Sequence, residues 1–248
     1  MTARSKKPGR ARDVAGSAAH VALMAITAPI WAVLSPLTLP LGYRMRYAFL
    51  ASWGIMTIES LRWLCGLSYR IEGLENRPEE PCVLIVKHQS AWETLGLIRW
   101  FSPQTWVLKR SLLRIPFFGW GLRLLEPIAI DRRSTGSALQ QVLSQGRDRL
   151  ARGRWVVIFP EGTRMPPGKK GQYRQGGAEL AISAGVPVLP VAHNAGHFWP
   201  RGSWLKRAGR IDVRVGPPIP TRERKAADVM REAEDWIESR MAELEGRR

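Results

Sequence analysis

The 248-residue sequence predicts an α/β protein, with a mixed, mostly parallel sheet covered by helices and an N-terminal two-helix, membrane-associated segment before it. Three observations lead to this prediction. Residues 14–43 contain no Asp, Glu, Lys or Arg. From residue 69 onward, short apolar runs alternate with stretches of helical periodicity, the pattern of strands joined by helical crossovers. A hydrophobic fraction of 45% with 24% charged residues excludes a globally disordered chain.

We divide the chain into three parts. Residues 1–13 are expected to form a basic, disordered tail, because Arg and Lys side chains outnumber its single Asp. Such a tail suits contact with anionic lipid headgroups. Residues 14–68 are expected to form a hydrophobic helical hairpin, and residues 69–248 the α/β domain that carries the chemistry.

The hairpin prediction depends on two apolar stretches. Residues 14–43 exceed the ~20 apolar residues that cross a bilayer, but three prolines within them argue against one straight helix. A shorter stretch, Tyr47–Ile58, follows, with Arg44 and Arg46 between the two. A hairpin crossing from the cytoplasm would place both arginines on the far side, against the positive-inside tendency. We therefore expect a helical pair within one leaflet, with a transmembrane hairpin or a buried soluble hairpin as alternatives.

The remaining elements follow from periodicity. The predicted strands are Tyr69–Glu72, Cys82–Val86, Thr105–Leu108, Ile128–Ile130, Trp155–Phe159, Val188–Ala192 and Ile211–Val215. The predicted helices lie near Ser90–Phe101, Phe117–Leu125, Thr135–Ala151 and Gly176–Ala184, with an amphipathic helix within Arg222–Arg248. Folds of this class place their chemistry in loops at the carboxyl ends of strands. The residues that follow the strands are therefore the candidates for a functional site.

The charge balance limits the function. The chain has 38 basic and 21 acidic residues, a formal net charge of +17. The segment Arg222–Arg248 holds 7 basic and 8 acidic residues, so the excess belongs to the rest of the protein. Such an excess indicates an anionic partner: nucleic acid, anionic lipid, a phosphorylated substrate or an acidic carrier protein. Recognised nucleic-acid-binding motifs are missing from the sequence, and two Cys cannot form a disulfide framework.

The first candidate pair is His88 and Glu93. His88 follows a predicted strand, and Glu93 comes five residues later. Within one helix, five residues turn through ~500°, so the two side chains would diverge. They meet only if His88 lies in the loop and Glu93 in the first helical turn, with Ser90 at the N-cap. Glu93 then has two possible roles: it completes a capping box, Ser90-x-x-Glu93, or it orients the imidazole of His88.

The second candidate is the hexapeptide FPEGTR, residues 159–164, which ends and follows another strand. Pro160 and Gly162 shape a tight turn. Arg164 presents a planar fork of donors that suits a phosphate. The alternative is a solvated turn with a surface arginine.

Together, His88-x4-Glu93 and FPEGTR resemble the 1-acyl-sn-glycerol-3-phosphate acyltransferases, also called lysophosphatidic acid acyltransferases, within the glycerolipid acyltransferases. Residues 109–120 and 186–191 are similar to two further blocks of that family. The four blocks occur in the family's order and span about half of the chain. The sequence departs from the family pattern at three places: Glu93 replaces an Asp, Lys87 an Asn and Arg174 a Lys.

The resemblance implies acyl transfer from acyl-CoA or an acyl carrier protein to the sn-2 hydroxyl of 1-acyl-sn-glycerol-3-phosphate, giving phosphatidic acid. His88 would be the general base, a role that suits imidazole because its pKa lies near the operating pH. Glu93 would orient His88, and Arg164 would bind the acceptor phosphate. The full set of substrate-binding residues that we predict is Lys109, Glu161, Gly162, Thr163, Arg164 and Arg174. Glu161 is expected to shape the loop rather than to contact phosphate, since like charges repel.

Other expectations complete this picture. The partners are an anionic lysophospholipid, the acyl thioester and a membrane surface, at the cytoplasmic face of the cell inner membrane. We expect no cofactor, no metal and no nucleic acid. His193 and His197 lie four apart, without a nearby acid or Cys. Backbone amides near Pro187 and Val188 are candidate oxyanion donors. The acceptor could instead be another lysolipid, such as lyso-ornithine lipid, or the chain could be a non-enzymatic basic protein that binds membrane or nucleic acid.

Two larger sets of residues, one basic and one aromatic, each have more than one possible role. Basic residues available for the membrane or the acyl carrier are Arg110, Arg114, Arg123, Arg132, Arg133, Arg201, Lys206, Arg207 and Arg210. Aromatic residues that either line an acyl channel or fill the core are Trp92, Trp100, Trp106, Phe117, Phe118 and Trp120. Cys65 and Cys82 lie in apolar segments, which favours structural roles over nucleophilic ones.

Overall fold

A computed structural model describes residues 10–116, 118–131 and 135–246. Its helices in these ranges are α1 (Arg10–Leu34), α2 (Tyr43–Leu64), α3 (Trp92–Gly96), α4 (Phe118–Leu124), α5 (Thr135–Ala151), α6 (Gly176–Ala184) and α7 (Ala226–Gly246). Its strands are β1 (Leu67–Glu72), β2 (Val83–Val86), β3 (Gln104–Lys109), β4 (Ile128–Ile130), β5 (Trp155–Ile158), β6 (Val188–His193) and β7 (Gly209–Val215). Short 3₁₀ turns connect several of these elements.

The strands described here form one sheet in the order β1-β7-β6-β2-β5-β3-β4. Every neighbouring pair is parallel except β6 and β7, which are antiparallel. All residues of β2 and β5 are buried, as expected for central parallel strands that are covered on both faces. The predicted mixed, mostly parallel sheet is confirmed.

The sheet separates two apolar layers. Side chains alternate between the faces of a strand, so Leu84 and Val86 of β2 join the layer under α2 and α3. Val83 and Ile85 join the opposite layer, which is formed with α5, α6 and α7. The prediction of helices covering the sheet is thereby confirmed, and the central strands are held between two cores.

The predicted hairpin is a pair of helices, α1 and α2, joined through a 3₁₀ turn at Ser35–Thr38. The two helices approach closely at Gly16, where an added Cβ would lie 2.1 Å from the carbonyl oxygen of Leu64. Glycine is therefore required at this crossing. The tip of the hairpin is fixed to the α/β domain, because Arg46 forms an ion pair of 2.7 Å with Glu126.

Most boundaries agree with the sequence prediction to within two residues, and two differ more. Helix α1 begins at Arg10, so residues 10–13 belong to the helix and not to the predicted tail; residues 1–9 lie outside the described part of the chain. The helix predicted over Ser90–Phe101 is α-helical only from Trp92 to Gly96 and then tightens into a 3₁₀ turn. Gly96 lowers the helix propensity at this point.

Candidate active site

Three adjacent parallel strands bring the candidate residues to one edge of the sheet. His88 lies two residues after β2, Arg164 follows β5, and Lys109 is the last residue of β3. Because β2, β5 and β3 are neighbours, their carboxyl ends meet at the same edge. A cavity of about 770 Å³ opens there, and its wall includes the predicted residues His88, Lys109, Gly162, Thr163, Arg164 and Arg174.

The imidazole of His88 is held on two sides. Its Nδ1 is 2.9 Å from Oε1 of Glu93, so Nδ1–H donates to the carboxylate. The ring stacks on Phe159, with centroids 3.9 Å apart and planes at 17°. Since Nδ1 is occupied, Nε2 is the nitrogen that remains for a ligand in the cavity. This is the geometry that a general base requires.

The carboxylate of Glu93 contacts both the imidazole of His88 and the backbone of the loop before α3. Its Oε1 accepts hydrogen bonds from the backbone N–H of Gln89 at 2.9 Å and of Ser90 at 2.8 Å, as well as from His88. Helix α3 begins one residue later than predicted: Ala91 is the N-cap, and Ser90 Oγ accepts from Trp92 N at 3.1 Å. The extra methylene of Glu93 relative to an Asp spans the distance back to the loop.

A second imidazole lies behind Glu93. Oε2 of Glu93 is 3.7 Å from Nε2 of His193 and has no hydrogen-bond partner among the described residues. His193 Nε2–H donates to the carbonyl of Lys87 at 2.8 Å, and Nδ1 accepts from Ala195 N at 3.2 Å. Acceptance at Nδ1 requires a neutral ring, and burial lowers the pKa of His193 although Glu93 acts in the opposite direction. His193 therefore fixes the loop that carries His88.

The ionisation of Glu93 is favoured despite its complete burial. Burial alone would raise the pKa of this carboxyl. The hydrogen bonds that Glu93 accepts from His88 and from the backbone amide of Ser90 outweigh that effect, so the pKa of Glu93 lies below its ordinary value. Glu93 is therefore a carboxylate at neutral pH and can stabilise a cationic His88.

Lys87, which stands at the position of the family's Asn, lies in a buried ionic network. Its Nζ is 2.8 Å from Glu161 Oε1 and 2.8 Å from Glu238 Oε1 of α7. The carbonyl of Lys169 accepts a third hydrogen bond at 3.2 Å. Tyr173 also donates to Glu238, at 2.8 Å. The C-terminal helix is thus tied directly to the residue that precedes His88.

Glu161 of the FPEGTR segment is fully engaged with the protein. Besides Lys87, its carboxylate accepts from the backbone N–H of His88 at 3.1 Å and of Gly171 at 3.0 Å. It is buried and is not part of the cavity wall formed by its neighbours Pro160 and Gly162. Its contacts position the His88 loop, in line with the expectation that it shapes the site rather than contacts phosphate.

The cavity wall includes four cationic side chains, and one of them was not among the predicted substrate-binding residues. Lys109, Arg164 and Arg174 were predicted, whereas Arg201 was assigned to the membrane or carrier surface. Arg201 Nη1 donates to Thr163 Oγ1 at 3.0 Å. In the described part of the chain, none of the four has an acidic partner, and Arg164 Nε is buried without a hydrogen-bond partner. The site therefore presents cations that an anionic ligand can pair with.

The other wall of the cavity is apolar and belongs largely to the hairpin. It includes Ala28, Trp31, Tyr47, Leu50, Trp53 and Trp106. Of the aromatic residues with open roles, Trp106 lines the cavity, Trp92 is buried in the core, and Trp120 is exposed. Phe117 and the side chain of Phe118 lie outside the described residues. The site thus joins a cationic end to an apolar channel.

Comparisons with known proteins agree with this geometry. The family profile described as Acyltransferase matches residues 68–194. A 1-acyl-sn-glycerol-3-phosphate acyltransferase of Pseudomonas aeruginosa is 47% identical over 227 residues, which are 90% of this chain and 88% of that protein. The chain belongs to this acyltransferase family. The crystal structure of the 1-acyl-sn-glycerophosphate (LPA) acyltransferase PlsC of Thermotoga maritima, only 19% identical, shares the acyltransferase fold with a TM-score of 0.77, over 95% of this chain and 98% of that one.

A more distant relative is the Bos taurus 1-acyl-sn-glycerol-3-phosphate acyltransferase alpha. It is 31% identical over 172 residues, which are 68% of this acyltransferase and 60% of the bovine protein.

One expectation for this acyltransferase needs correction. Val188 begins β6 and pairs with Val83 at the start of β2, whereas His88 lies beyond the other end of that strand. The amide of Val188 also donates to Ile219 O at 3.0 Å. The amides near Pro187 are therefore at the wrong edge of the sheet for an oxyanion. Arg132 and Arg133, assigned to the carrier or membrane surface, lie outside the described residues.

The two histidines spaced four apart have different surroundings. His193 contacts Glu93 and Lys87, whereas His197 Nε2 lies 3.5 Å from Glu245 of α7. They therefore do not converge on one ligand position. Among the described residues, no group of three His, Cys, Asp or Glu side chains could hold a metal ion.

Proposed function

We propose that this acyltransferase moves an acyl group from acyl-CoA or an acyl carrier protein to the sn-2 hydroxyl of 1-acyl-sn-glycerol-3-phosphate, forming phosphatidic acid. One observation carries the proposal: an imidazole oriented by a buried carboxylate shares a cavity with unpaired cations and with apolar walls. An acceptor with a phosphate, a free hydroxyl and an acyl chain is complementary to all three features. The names of the Pseudomonas aeruginosa and Bos taurus relatives support the same acceptor.

The chemistry needs no covalent acyl-enzyme. His88 Nε2 takes the proton of the acceptor hydroxyl as its oxygen attacks the thioester carbonyl carbon. The C–S bond then breaks, and the imidazolium returns the proton to the departing thiolate, giving an ester and a thiol. Glu93 holds the ring and stabilises its cationic form. Both cysteines are buried, and burial raises the pKa of Cys82 to about 12, which disfavours a thiolate nucleophile.

The acceptor phosphate is assigned to the cationic end of the cavity. Arg164 has the strongest claim, because its buried Nε lacks a partner within the described residues. Lys109, Arg174 and Arg201 line the same cavity and add positive charge. A guanidinium binds two phosphate oxygens at once, which fixes the direction of the acceptor hydroxyl as well as its affinity.

Membrane association is supported by an N-terminal helical segment that buries polar side chains and exposes apolar ones. By length and composition, the segment Ala11–Thr38 could cross a membrane, with a mean hydropathy of 1.8. Five of its polar side chains are buried against the protein: Asp13, Ser17, His20, Ser35 and Thr38. The charged side chain of Arg12, near its start, is exposed. Seven of its large apolar side chains are exposed: Val14, Val21, Ile26, Ile30, Val33, Leu34 and Leu37. An exposed apolar face of this extent needs an apolar environment.

The contacts at the tip of the hairpin favour insertion into one leaflet. Arg46 and Tyr43 bind Glu126 and the carbonyl of Leu125, so the tip lies against the α/β domain. A hairpin crossing the bilayer would have to break these contacts and carry Arg46 through the apolar core, which is costly. We therefore place the protein on the cytoplasmic face of the inner membrane, where basic segments accumulate.

The decisive experiment is acyl transfer by the purified protein with defined donor and acceptor pairs. Acyl-CoA and acyl carrier protein are each offered with lysophosphatidic acid, lyso-ornithine lipid and lysophosphatidylcholine. We expect transfer to lysophosphatidic acid to dominate, and His88→Ala to lower it by about 10²–10⁴-fold without loss of fold. Preference for lyso-ornithine lipid would keep the chemistry and overturn the acceptor. Activity of His88→Ala near the wild-type level would overturn the base.

The acceptor contact has its own test. Arg164→Ala removes a charge-assisted hydrogen bond to phosphate, which is worth about 1.5–3 kcal/mol, so the KM for lysophosphatidic acid should rise about tenfold or more. The KM for the thioester should change little. Arg110→Ala is a matched control, because Arg110 is exposed and is not part of the cavity wall. An unchanged acceptor KM in Arg164→Ala would place the phosphate elsewhere.

A further inference from the structure

A second, smaller cavity lies where the tip of the hairpin meets the end of α5. Its volume is about 470 Å³. Its wall is formed by Gly42, Tyr43, Arg44, Met45, Glu126, Arg152 and Arg154. None of these residues belongs to the catalytic cavity, and the acyl-transfer mechanism uses none of them.

The cavity contains a buried guanidinium with an unused donor. Arg154 is 2% exposed, and its Nη1 donates to Glu126 Oε2 at 2.9 Å. The guanidinium lies over the ring of Tyr43, at 3.5 Å from the centroid. Its Nε is buried and has no hydrogen-bond partner among the described residues. A buried, unpaired donor on a charged group is costly unless an acceptor reaches it.

The wall carries a net positive charge even though it includes a carboxylate. Glu126 is shared among Arg154, Arg46 at 2.7 Å and Arg152 at 3.7 Å. Arg44 is exposed and has no acidic partner within the described chain. Within the wall, Arg44, Arg152 and Arg154 against Glu126 give +2, and Arg46, which pairs with Glu126 from outside the wall, adds one more positive charge nearby. The adjacent pair of Arg149 and Asp148, which also contacts Arg152 at 2.9 Å, adds no net charge.

This second cavity, which we call the basic pocket, lies next to the apolar tip of the hairpin. Leu37 is 72% exposed, Leu39 56% and Met45 61%, and Met45 is also part of the pocket wall. If the tip inserts into a leaflet, the pocket lies at the level of the lipid headgroups. At that level, arginines meet phosphodiester groups rather than soluble anions.

We propose that this pocket binds the phosphate of an anionic phospholipid headgroup, as an anchoring site separate from the catalytic cavity. The proposal rests on the membrane association given under the proposed function and not on the acceptor or the donor. Arg44 and Arg152 form its exposed rim, and Arg154 its base. The site couples the hairpin to the anionic leaflet while leaving the catalytic cations free for substrate.

The test uses the full-length protein and two vesicle compositions, pure phosphatidylcholine and phosphatidylcholine with phosphatidylglycerol. The Arg44→Ala/Arg152→Ala variant changes only rim residues, which are exposed. Each basic residue near an anionic surface contributes roughly fivefold to binding, so affinity for the anionic vesicles should fall about 25-fold. Binding to the neutral vesicles should stay at the wild-type level. The matched control, Arg222→Ala/Arg231→Ala, removes the same charge from exposed positions far along the chain.

Two results would overturn the proposal. An equal loss in the control variant would mean that net charge alone attracts the protein to the membrane. Binding of inorganic phosphate to the vesicle-free protein, lost in Arg44→Ala/Arg152→Ala, would assign the pocket to a free phosphate. Acyl transfer in detergent micelles should be unchanged in the variant. Failure of the lipid site and failure of the acceptor assignment are therefore separate observations.

Discussion

One oxygen of Glu93 connects the loop backbone to the imidazole of His88. Oε1 receives Nδ1–H of His88 and the amides of Gln89 and Ser90. The amide contacts need only an acceptor, whereas stabilisation of a cationic imidazole needs a negative charge. The two roles of Glu93 can therefore be separated by substitution.

Glu93→Gln keeps an acceptor oxygen but removes the charge. We expect its thermal stability to stay within a few degrees of wild type, while kcat falls by about 10²-fold or more, as when the carboxylate behind a catalytic His is neutralised. Glu93→Asp keeps the charge and should reduce kcat only mildly. Melting curves and steady-state transfer rates measured on the same preparations check this. Equal activity of the Gln and wild-type proteins would leave Glu93 with a capping role alone.

His193 predicts a particular pH dependence of stability. Because the pKa of His193 is lowered in the folded protein, the unfolded chain binds a proton on this residue first as the pH falls below ~6.5. The contribution of neutral His193 to the free energy of unfolding is therefore complete above that pH. It decreases as the pH falls below it, by up to about 1.4 kcal/mol at pH 5.5.

His193→Gln offers a donor to the Lys87 carbonyl and an acceptor to Ala195 N without titrating. Urea unfolding in detergent at pH 7.5 and 5.5 should show a smaller loss in the variant than in wild type. The other titratable groups that face His193, which are His88, Glu93 and Glu161, are present in both proteins. Parallel pH profiles for the two proteins would contradict a neutral His193 in the native state.

The site contacts of Lys87 and Arg201 could not be predicted from the sequence, and the reason is the same for both. Lys87 is 151 positions from Glu238, and Arg201 is 38 positions from Thr163. Neither pair has a spacing or motif that local periodicity detects, because the topology of the sheet creates the contact. By contrast, His88 and Glu93 are five apart, so helix and loop geometry sufficed to predict their meeting.

Helix α7 contributes to the active site through an ionic network rather than through a substrate contact. Glu238 reaches Lys87, and Lys87 neutralises Glu161, whose carboxylate holds the amide of His88. Through these contacts the C-terminal helix supports the loop that carries His88. Its amphipathic pattern predicted the helix correctly, but the contact of Glu238 with Lys87 was not predictable from that pattern.

Lys87→Met leaves Glu161 buried without its cation. Removing one partner of a buried pair costs about 3–5 kcal/mol, and we expect a lower free energy of unfolding together with a lower kcat. Adding Glu161→Gln to Lys87→Met removes the uncompensated charge and should recover part of the stability. Glu238→Gln, whose site is partly exposed, should cost less than Lys87→Met. Urea unfolding of the three variants measures this order, and no recovery in the double variant would count against the network.

Elements were predicted well where periodicity is strong. The bounds of α5, α6 and β4 agree with the prediction at both ends. The start of α1 was predicted wrongly, because the charged residues within 10–13 suggested a tail. The length of α3 was predicted wrongly, because the apolar residues after Gly96 continue a helical pattern. The oxyanion donors were misplaced because residues 186–191, which resemble a block of the family, lead into the start of β6 and not into the loop that follows it.

For the molecule as a whole, the hairpin reverses the usual distribution of polarity. The α/β domain buries its apolar side chains between two layers, whereas α1 buries polar ones and exposes apolar ones. The catalytic cavity lies between these parts and takes its apolar wall from the hairpin. Under the proposed function, a lipid acceptor reaches His88 past the apolar side of this cavity, with its phosphate at the cationic end.

The outward face of the hairpin should decide the partition into a neutral membrane. Ile26, Val33 and Leu37 are 64%, 58% and 72% exposed, so replacing all three by Ser should leave the fold intact. Each loses part of the 1.5–3 kcal/mol that burial of an aliphatic side chain contributes, and binding to pure phosphatidylcholine vesicles should weaken by about 100-fold. The control, Ala227→Ser/Ala242→Ser, changes exposed positions of α7 and should bind as wild type does. Since these vesicles have no net charge, the result is independent of the basic pocket. Unchanged partition of the triple variant would mean that the hairpin does not enter the leaflet.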